Sequence, residues 1–199
     1  LLLMGELESV HALYALQAIS YRNGAVCMKI AGFGVIDIVR KHVASSEHEQ
    51  VKCVSAFLLG TVVAFNEDTH RLVAKGRVVP VLVECLKATC DETACELNFK
   101  DFRDKDVCDH SAALLRNLSH NAAQHNLLKA SGCVEVLLNV MGKRVGAVRI
   151  NSACTVANLV GRDETDSRLE EDPTIIEEVL HVLEAALDGK KVGGLNYTV

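Results

Sequence analysis

The amino-acid sequence predicts an all-α protein laid out as a solenoid of helical repeats, and three observations carry that expectation. Ala, Leu and Val dominate a chain of 199 residues that holds only two prolines, Pro80 and Pro173, and no tryptophan, so the composition leans towards helix. No stretch alternates apolar and polar residues between turn signals, as a half-buried strand would. The same 22-residue pattern also returns along the chain, and fixed-period recurrence is the mark of repeat architectures.

The first copy is "ALYALQAISYRNGAVCMKIAGFG", starting at Ala12, and it is the most divergent. The second is "SAFLLGTVVAFNEDTHRLVAKG", Ser55 to Gly76, followed by the apolar "RVVPVLVECLK". Pro80 falls early in that helix, where its missing N–H does least harm. The third is "SAALLRNLSHNAAQHNLLKASG", Ser111 to Gly132, with the same Ser-Ala opening, the same Leu-Leu offset and a closing glycine at identical length. Its short helix is expected to stop at Gly132, and "CVEVLLNVMG" then forms an apolar helix ending at Gly142. The fourth opens "SACTVANLVGRDETDSRLEED" at Ser152 and puts Asn158 where the third has Asn117. Starting points near His11, Ser55, Ser111 and Ser152 give spacings of about 44, 56 and 41 residues, hence a period near 42 with one insertion. The expected units are 10–50, 51–92, 109–148 and 149–190, with a partial unit at 1–9, the insertion at 91–108 and a lead-in to a further unit at 191–199, all in one domain. The chain opens on Leu1 and not Met, so both ends are expected to be cuts in a longer protein.

Bulk properties exclude several function classes. Hydrophobic residues make up 49% and charged ones 24%, which fits a folded chain and not a disordered one. A net charge of −5, with no Lys/Arg run beyond a pair, gives no footprint for nucleic acid. The longest uncharged stretch, "CVSAFLLGTVVAFN" from Cys53 to Asn66, is too short for a bilayer and reads as a buried helix, so no membrane insertion is expected. "LLLMGELESV" has no basic start and meets Glu6 early, so it does not read as a secretory leader. Eight cysteines scattered through apolar runs fit buried thiols in a reducing compartment, and a cytoplasmic or nuclear home is expected. Asn117-Leu118-Ser119 and Asn196-Tyr197-Thr198 match the glycosylation sequon, but the first lies in mid-helix.

Chemistry-bearing clusters give little. Cys85, Cys90, Cys95, Cys108 and His110 hold zinc-ligand chemistry, yet a spacing of five on a helix turns successive thiols about 140° apart, so no metal site is expected. Cys108-Asp109-His110 and Ser119-His120 are adjacent in sequence, so their side chains diverge and cannot act as a catalytic unit. No phosphate loop, dinucleotide fingerprint or metalloprotease helix is present, and neither an enzyme nor a cofactor is expected. The scattered histidines are expected mostly at exposed helix ends. In the insertion, "DETACELNFKDFRDKD", Phe99 and Phe102 either anchor a partner or pack back onto the array.

A long helix followed by a short one closing on glycine and then an apolar one, as in "SAALLRNLS" and "LLKASGCVEVLLNVM" or "SAFLLGTVV" and "LVAKGRVVPVLVECL", resembles the armadillo repeat over nearly the whole chain. The resemblance implies a right-handed α-solenoid with three helices per unit and a concave groove that holds extended peptides. In that family an Asn ladder, and in some members a row of tryptophans one turn earlier, lines the groove. An amide offers both donor and acceptor to an extended backbone, while flat aromatics offer stacking area. Carried over by position, the Asn places hold Ala18, Thr61, Asn117 and Asn158, and the Trp places hold Tyr14, Phe57, Ala113 and Cys154. One turn earlier lie His11, Val54, His110 and Asn151. The implied partner-binding residues are thus Tyr14, Phe57, Thr61, His110, Asn117, Asn151 and Asn158, and the partner is a protein or peptide segment. The eroded aromatic row does not fit a receptor for basic import signals. Asn117 and Asn158 either line the groove or bond a neighbouring helix, and Tyr14 and Phe57 belong either to the groove or to the core. The expected function is a protein-interaction scaffold; the alternatives are a structural spacer in a cytoskeletal or ciliary assembly, or a regulatory repeat region of a larger multidomain protein.

Overall fold

A computed structural model describes residues 6–64, 67–90, 106–160 and 174–187. Among them the protein is all helical, with eleven α-helices, one 3₁₀ turn and no strand. The helices run α1 (Glu6–Ser20), α2 (Gly24–Gly32), α3 (Val35–Ser45), α4 (Glu49–Ala64), α5 (Glu67–Lys75), α6 (Val78–Cys90), α7 (Val107–Ser119), α8 (His125–Ala130), α9 (Cys133–Lys143), α10 (Ala147–Val160) and α11 (Thr174–Leu187). A 3₁₀ turn, Ala122–Gln124, leads into α8. The order long, short, long therefore recurs three times, in α1–α3, α4–α6 and α7–α9. Residues 91–105, where most of the expected insertion falls, and 191–199 lie outside the described residues.

The long helices pack side by side, α1 on α4, α4 on α7 and α7 on α10, with α3, α6 and α9 behind them. One continuous apolar core runs from Val10 to Val182. The uncharged run in α4 follows from this arrangement: held between α1, α3 and α7, it buries Val51, Val54, Leu58, Leu59, Val62 and Val63 on several sides. A helix apolar all round can only be an interior one, and each fully buried Leu contributes about 1.5–3 kcal/mol. The short α5 differs, burying only Thr69, His70 and Val73 and leaving Glu67, Asp68 and Arg71 to solvent.

Each long helix leaves terminal carbonyls without helical partners. In all three repeats the following short helix supplies the donor. The Cys27 thiol reaches the Ser20 carbonyl at 3.3 Å. The Thr69 hydroxyl donates to Val62 O at 3.0 Å and His70 Nε2 meets Val63 O at 3.1 Å. His125 Nε2 meets Ser119 O at 2.8 Å. The expectation that histidines sit at exposed helix ends is therefore corrected: His70, His110 and His125 are only 5%, 8% and 8% exposed. Two of them are buried because a ring N–H can close a helix end that water does not reach.

The turn into the third helix of each repeat needs one left-handed residue. Gly34 (φ 74°) and Gly132 (φ 73°) supply it, as their sequence suggests. In the middle repeat it is Arg77 (φ 52°) and not the aligned Gly76. Gly76 is held for another reason: a Cβ there would come within 3.1 Å of the Ile36 side chain and 3.3 Å of the Leu72 carbonyl. Pro80 takes the third position of α6 and is exposed, within the first turn as expected.

After residues 91–105, α7 is fastened at its start. The Asp106 carboxylate accepts from the Asp109 amide at 2.9 Å as N-cap and forms an ion pair with Arg144 at the end of α9. Burial, the largest influence, opposes the Arg144 charge, but Asp106 together with Cys108 and Asp109 outweighs it and holds the guanidinium above its ordinary pKa.

Two stability predictions follow from these contacts. Arg77→Gly removes left-handed strain from a residue with a Cβ and is expected to stabilise the protein by about 0.5–1 kcal/mol, whereas Gly76→Ala costs about 1–2 kcal/mol through the Ile36 contact; urea unfolding of the two variants checks both signs. Asp106→Ala loses a cap and leaves Arg144 without its carboxylate, an expected loss of about 2–4 kcal/mol, while Asp106→Asn keeps the cap and loses less; in thermal unfolding the Asp106→Asn loss reads the ion pair and the difference between the two variants reads the cap.

Candidate functional site

The long helices place a groove of about 750 Å³ along α1, α4 and α7. Its lining comes at helical spacing: Gln17 and Ala18 from α1 with Tyr21 just past its end, Ala56, Phe57, Gly60, Thr61 and Ala64 from α4, and Asp109, His110, Ala113 and Asn117 from α7. Positions aligned by the repeat, Ala18, Thr61 and Asn117, therefore sit on one surface.

The walls are aromatic. Phe57 and His110 stack with ring centroids 5.0 Å apart and planes 27° from parallel, so residues from α4 and α7 form one rigid shelf. Tyr21, more than half exposed, carries Arg22 against its ring at 5.5 Å. The floor is made of small residues, Ala18, Ala56, Gly60, Ala64 and Ala113. Asp109, 8% exposed, stands in the first turn of α7, where the helix N-terminus favours a negative charge. No Lys or Arg lines the groove.

Four of the seven residues expected at the site, Phe57, Thr61, His110 and Asn117, line this groove. Thr61 is buried and its hydroxyl donates back to the Phe57 carbonyl at 3.1 Å. Asn117 uses its amide nitrogen within the protein, donating to the Gly60 carbonyl of α4 at 3.4 Å. Its amide oxygen has no hydrogen bond among the described residues, so this side chain offers an acceptor and not the donor–acceptor pair of a free ladder. The other three lie outside the lining. Tyr14 is half-buried and packs on the core. Asn151 accepts from Arg116 at 3.3 Å, and the Asn158 nitrogen donates to the Ser119 hydroxyl at 3.0 Å, so both tie α10 to α7.

Sequence reasoning missed Tyr21, Gln17, Gly60 and Asp109. A signal for Tyr21 existed, since it follows Tyr14 by seven residues, two turns on one helix face. Ala56, Gly60 and Ala64, spaced four apart, mark a stripe of small residues that also went unread.

Gly60 sits inside α4 with a full turn on each side, alone in this among the described glycines. A Cβ added there would meet nothing within 4 Å. Glycine in a helix interior costs about 0.5–1 kcal/mol relative to alanine, and no packing contact of the free protein requires it.

Cys27, Cys53, Cys85, Cys108, Cys133 and Cys154 form no disulfide with one another, and burial makes four of them poor nucleophiles. Burial pushes the Cys85 thiol up to about 11 and the Cys133 thiol up to about 12, and it raises Cys27 and, helped by the Glu49 carboxylate, Cys53. Among the described residues no group of His, Cys, Asp and Glu could hold a metal ion, while the side chain of Cys90 and all of Cys95 lie outside them. Among the described residues no helix is long and apolar enough to cross a membrane. No protein-family model, no curated protein and no solved structure matches the chain.

Because the thiolate is the reactive form, a thiol titrating near 11 is ionised only to about one part in a thousand at pH 8. Alkylation of native protein at pH 8, read by peptide mass mapping, is therefore expected to leave Cys85 and Cys133 unmodified until the protein unfolds, with the Cys85 rate rising as pH approaches 11.

Proposed function

We propose that the chain is an array of armadillo-type repeats, a right-handed α-solenoid, that acts as a protein-interaction scaffold and holds a partner segment in the groove along α1, α4 and α7. The observation that carries this reading is the groove itself, lined by aligned turns of three successive long helices. Such a surface gives a partner segment an apolar floor to cover and an aromatic shelf to lie against. The Asn117 oxygen is a fixed acceptor for a main-chain N–H. Binding is then the sum of many modest contacts, with no bond made or broken.

Support also comes from the equivalent devices in the three repeats: the donor closing each long helix, and the left-handed residue opening each third helix. Asn151 and Asn158 enter this reading as ties between units and not as rungs.

The test is affinity capture with quantitative mass spectrometry, comparing wild type with Phe57→Ala/Asn117→Ala. The expected outcome is a loss of at least tenfold in specific partners, about 1.4 kcal/mol or more of binding, with helical circular dichroism retained. Unchanged partners would place binding elsewhere on the molecule and overturn the reading.

A further inference from the structure

We infer that this chain associates with copies of itself head to tail, the open face of α1 in one copy docking on the open face of α11 in the next. Neither face is the groove; both stand out because equivalent positions elsewhere in the array are covered. In α1, Glu8, His11, Ala15 and Ile19 follow one another at helical spacing and are all exposed, Ile19 at 57%. The equivalent residues of α4, Val51, Val54, Leu58 and Val62, are buried. Leu118 of α7 and Leu159 of α10, which align with Ile19, are buried too. What differs is the neighbour on that side. α4 packs on α1 and α3, α7 on α4 and α6, and α10 on α7 and α9, whereas no described helix takes that place for α1.

The opposite end is open in the complementary way. Ile176 of α11 stands where α3, α6 and α9 have Ile36, Val79 and Val134, all buried, yet it is 43% exposed. Leu180 follows one turn later at 49%, where Val83 of α6 is buried. Inside the array the next unit closes this face, and its approach is visible at Gly76, where a Cβ would stand 3.1 Å from Ile36. Phe33 aligns with Gly76 and is 81% exposed. Ile19 and Phe33 therefore mark one half of a joint, and Ile176 and Leu180 the other. These are four of the six large apolar side chains exposed among the described residues, so the exposure is concentrated at the two ends and not scattered.

The row α1, α4, α7, α10 holds the two halves apart within one chain, so they cannot close on each other. A second copy brings them together by the same step that sets α4 on α3 inside the chain. Pairing of two tails is disfavoured, because α11 carries Glu177, Glu178 and Glu184 with no Lys or Arg and would face its own charge. Since the two faces differ, the contact is heterologous and continues from copy to copy.

The experiment is sedimentation equilibrium of the 199-residue chain and of two variants, Ile19→Asp at the head and Leu180→Asp at the tail. Both positions are exposed and outside the groove lining, so helical circular dichroism is expected to be retained; Ile19→Gln and Leu180→Gln replace them if it is not. The wild-type average mass is expected to at least double between about 5 and 500 µM. Each variant alone is expected to stay monomeric, having lost one half of the joint. Mixed in equal amounts they are expected to form a one-to-one dimer that grows no further, because Leu180→Asp keeps its head and Ile19→Asp keeps its tail. A wild type that stays monomeric, a variant that still associates alone, or a mixture that stays monomeric overturns the inference.

Discussion

Everything in this structure depends on how each long helix ends. A helix that stops inside a protein leaves carbonyl oxygens that burial would penalise, and the chain must also double back there. In α1, α4 and α7 one device meets both demands. The first turn of the next short helix reaches back with a polar hydrogen, from Cys27 to Ser20, from Thr69 and His70 to Val62 and Val63, and from His125 to Ser119. Because the reach is six or seven residues each time, each short helix returns at a similar place. The long helices can then stack in order, and only that stacking brings Tyr21, Phe57, His110 and Asn117 onto one groove.

Between units the register is held by polar contacts along the edge of the apolar core. Asn117 to Gly60 joins α7 to α4, while Asn158 to Ser119 and Arg116 to Asn151 join α10 to α7. Apolar packing alone tolerates sliding, whereas an amide aimed at one particular oxygen does not. The same three asparagines are what a groove reading of the sequence selects. Their amides serve the stacking first, and of the three only Asn117 also lines the groove.

The all-helical class was legible because helix-period patterns and closing glycines survive in the sequence as spacing. The long uncharged run in α4 announced an interior helix, and Gly34 and Gly132 announced turns. The capping donors were hidden because their chemistry is interchangeable: Cys, Thr and His each present one hydrogen, so three unlike residues perform one task and leave no motif. His70 and His125 look like solvated rings for the same reason. Arg77 was hidden because the glycine beside it, needed for contact with Ile36, takes the aligned position. For the site, residue type and face were readable, but whether an amide hydrogen is already engaged is decided by the neighbouring helix. Tyr14 shows the same limit: it shares a face with Tyr21, yet packing puts the first on the core and the second at the groove.

The proposed peptide site rests on an aromatic shelf and a floor of small residues shared by three successive long helices. The most direct measurement is NMR of alanine methyl groups in the chain during titration with a bound peptide carrying a spin label. The account predicts that Ala18, Ala56, Ala64 and Ala113, which line the groove, lose signal together, while Ala25, Ala88 and Ala123, exposed on α2, on α6 and in the turn before α8, keep theirs. Broadening at Ala25, Ala88 or Ala123 with the four groove alanines unaffected would contradict it.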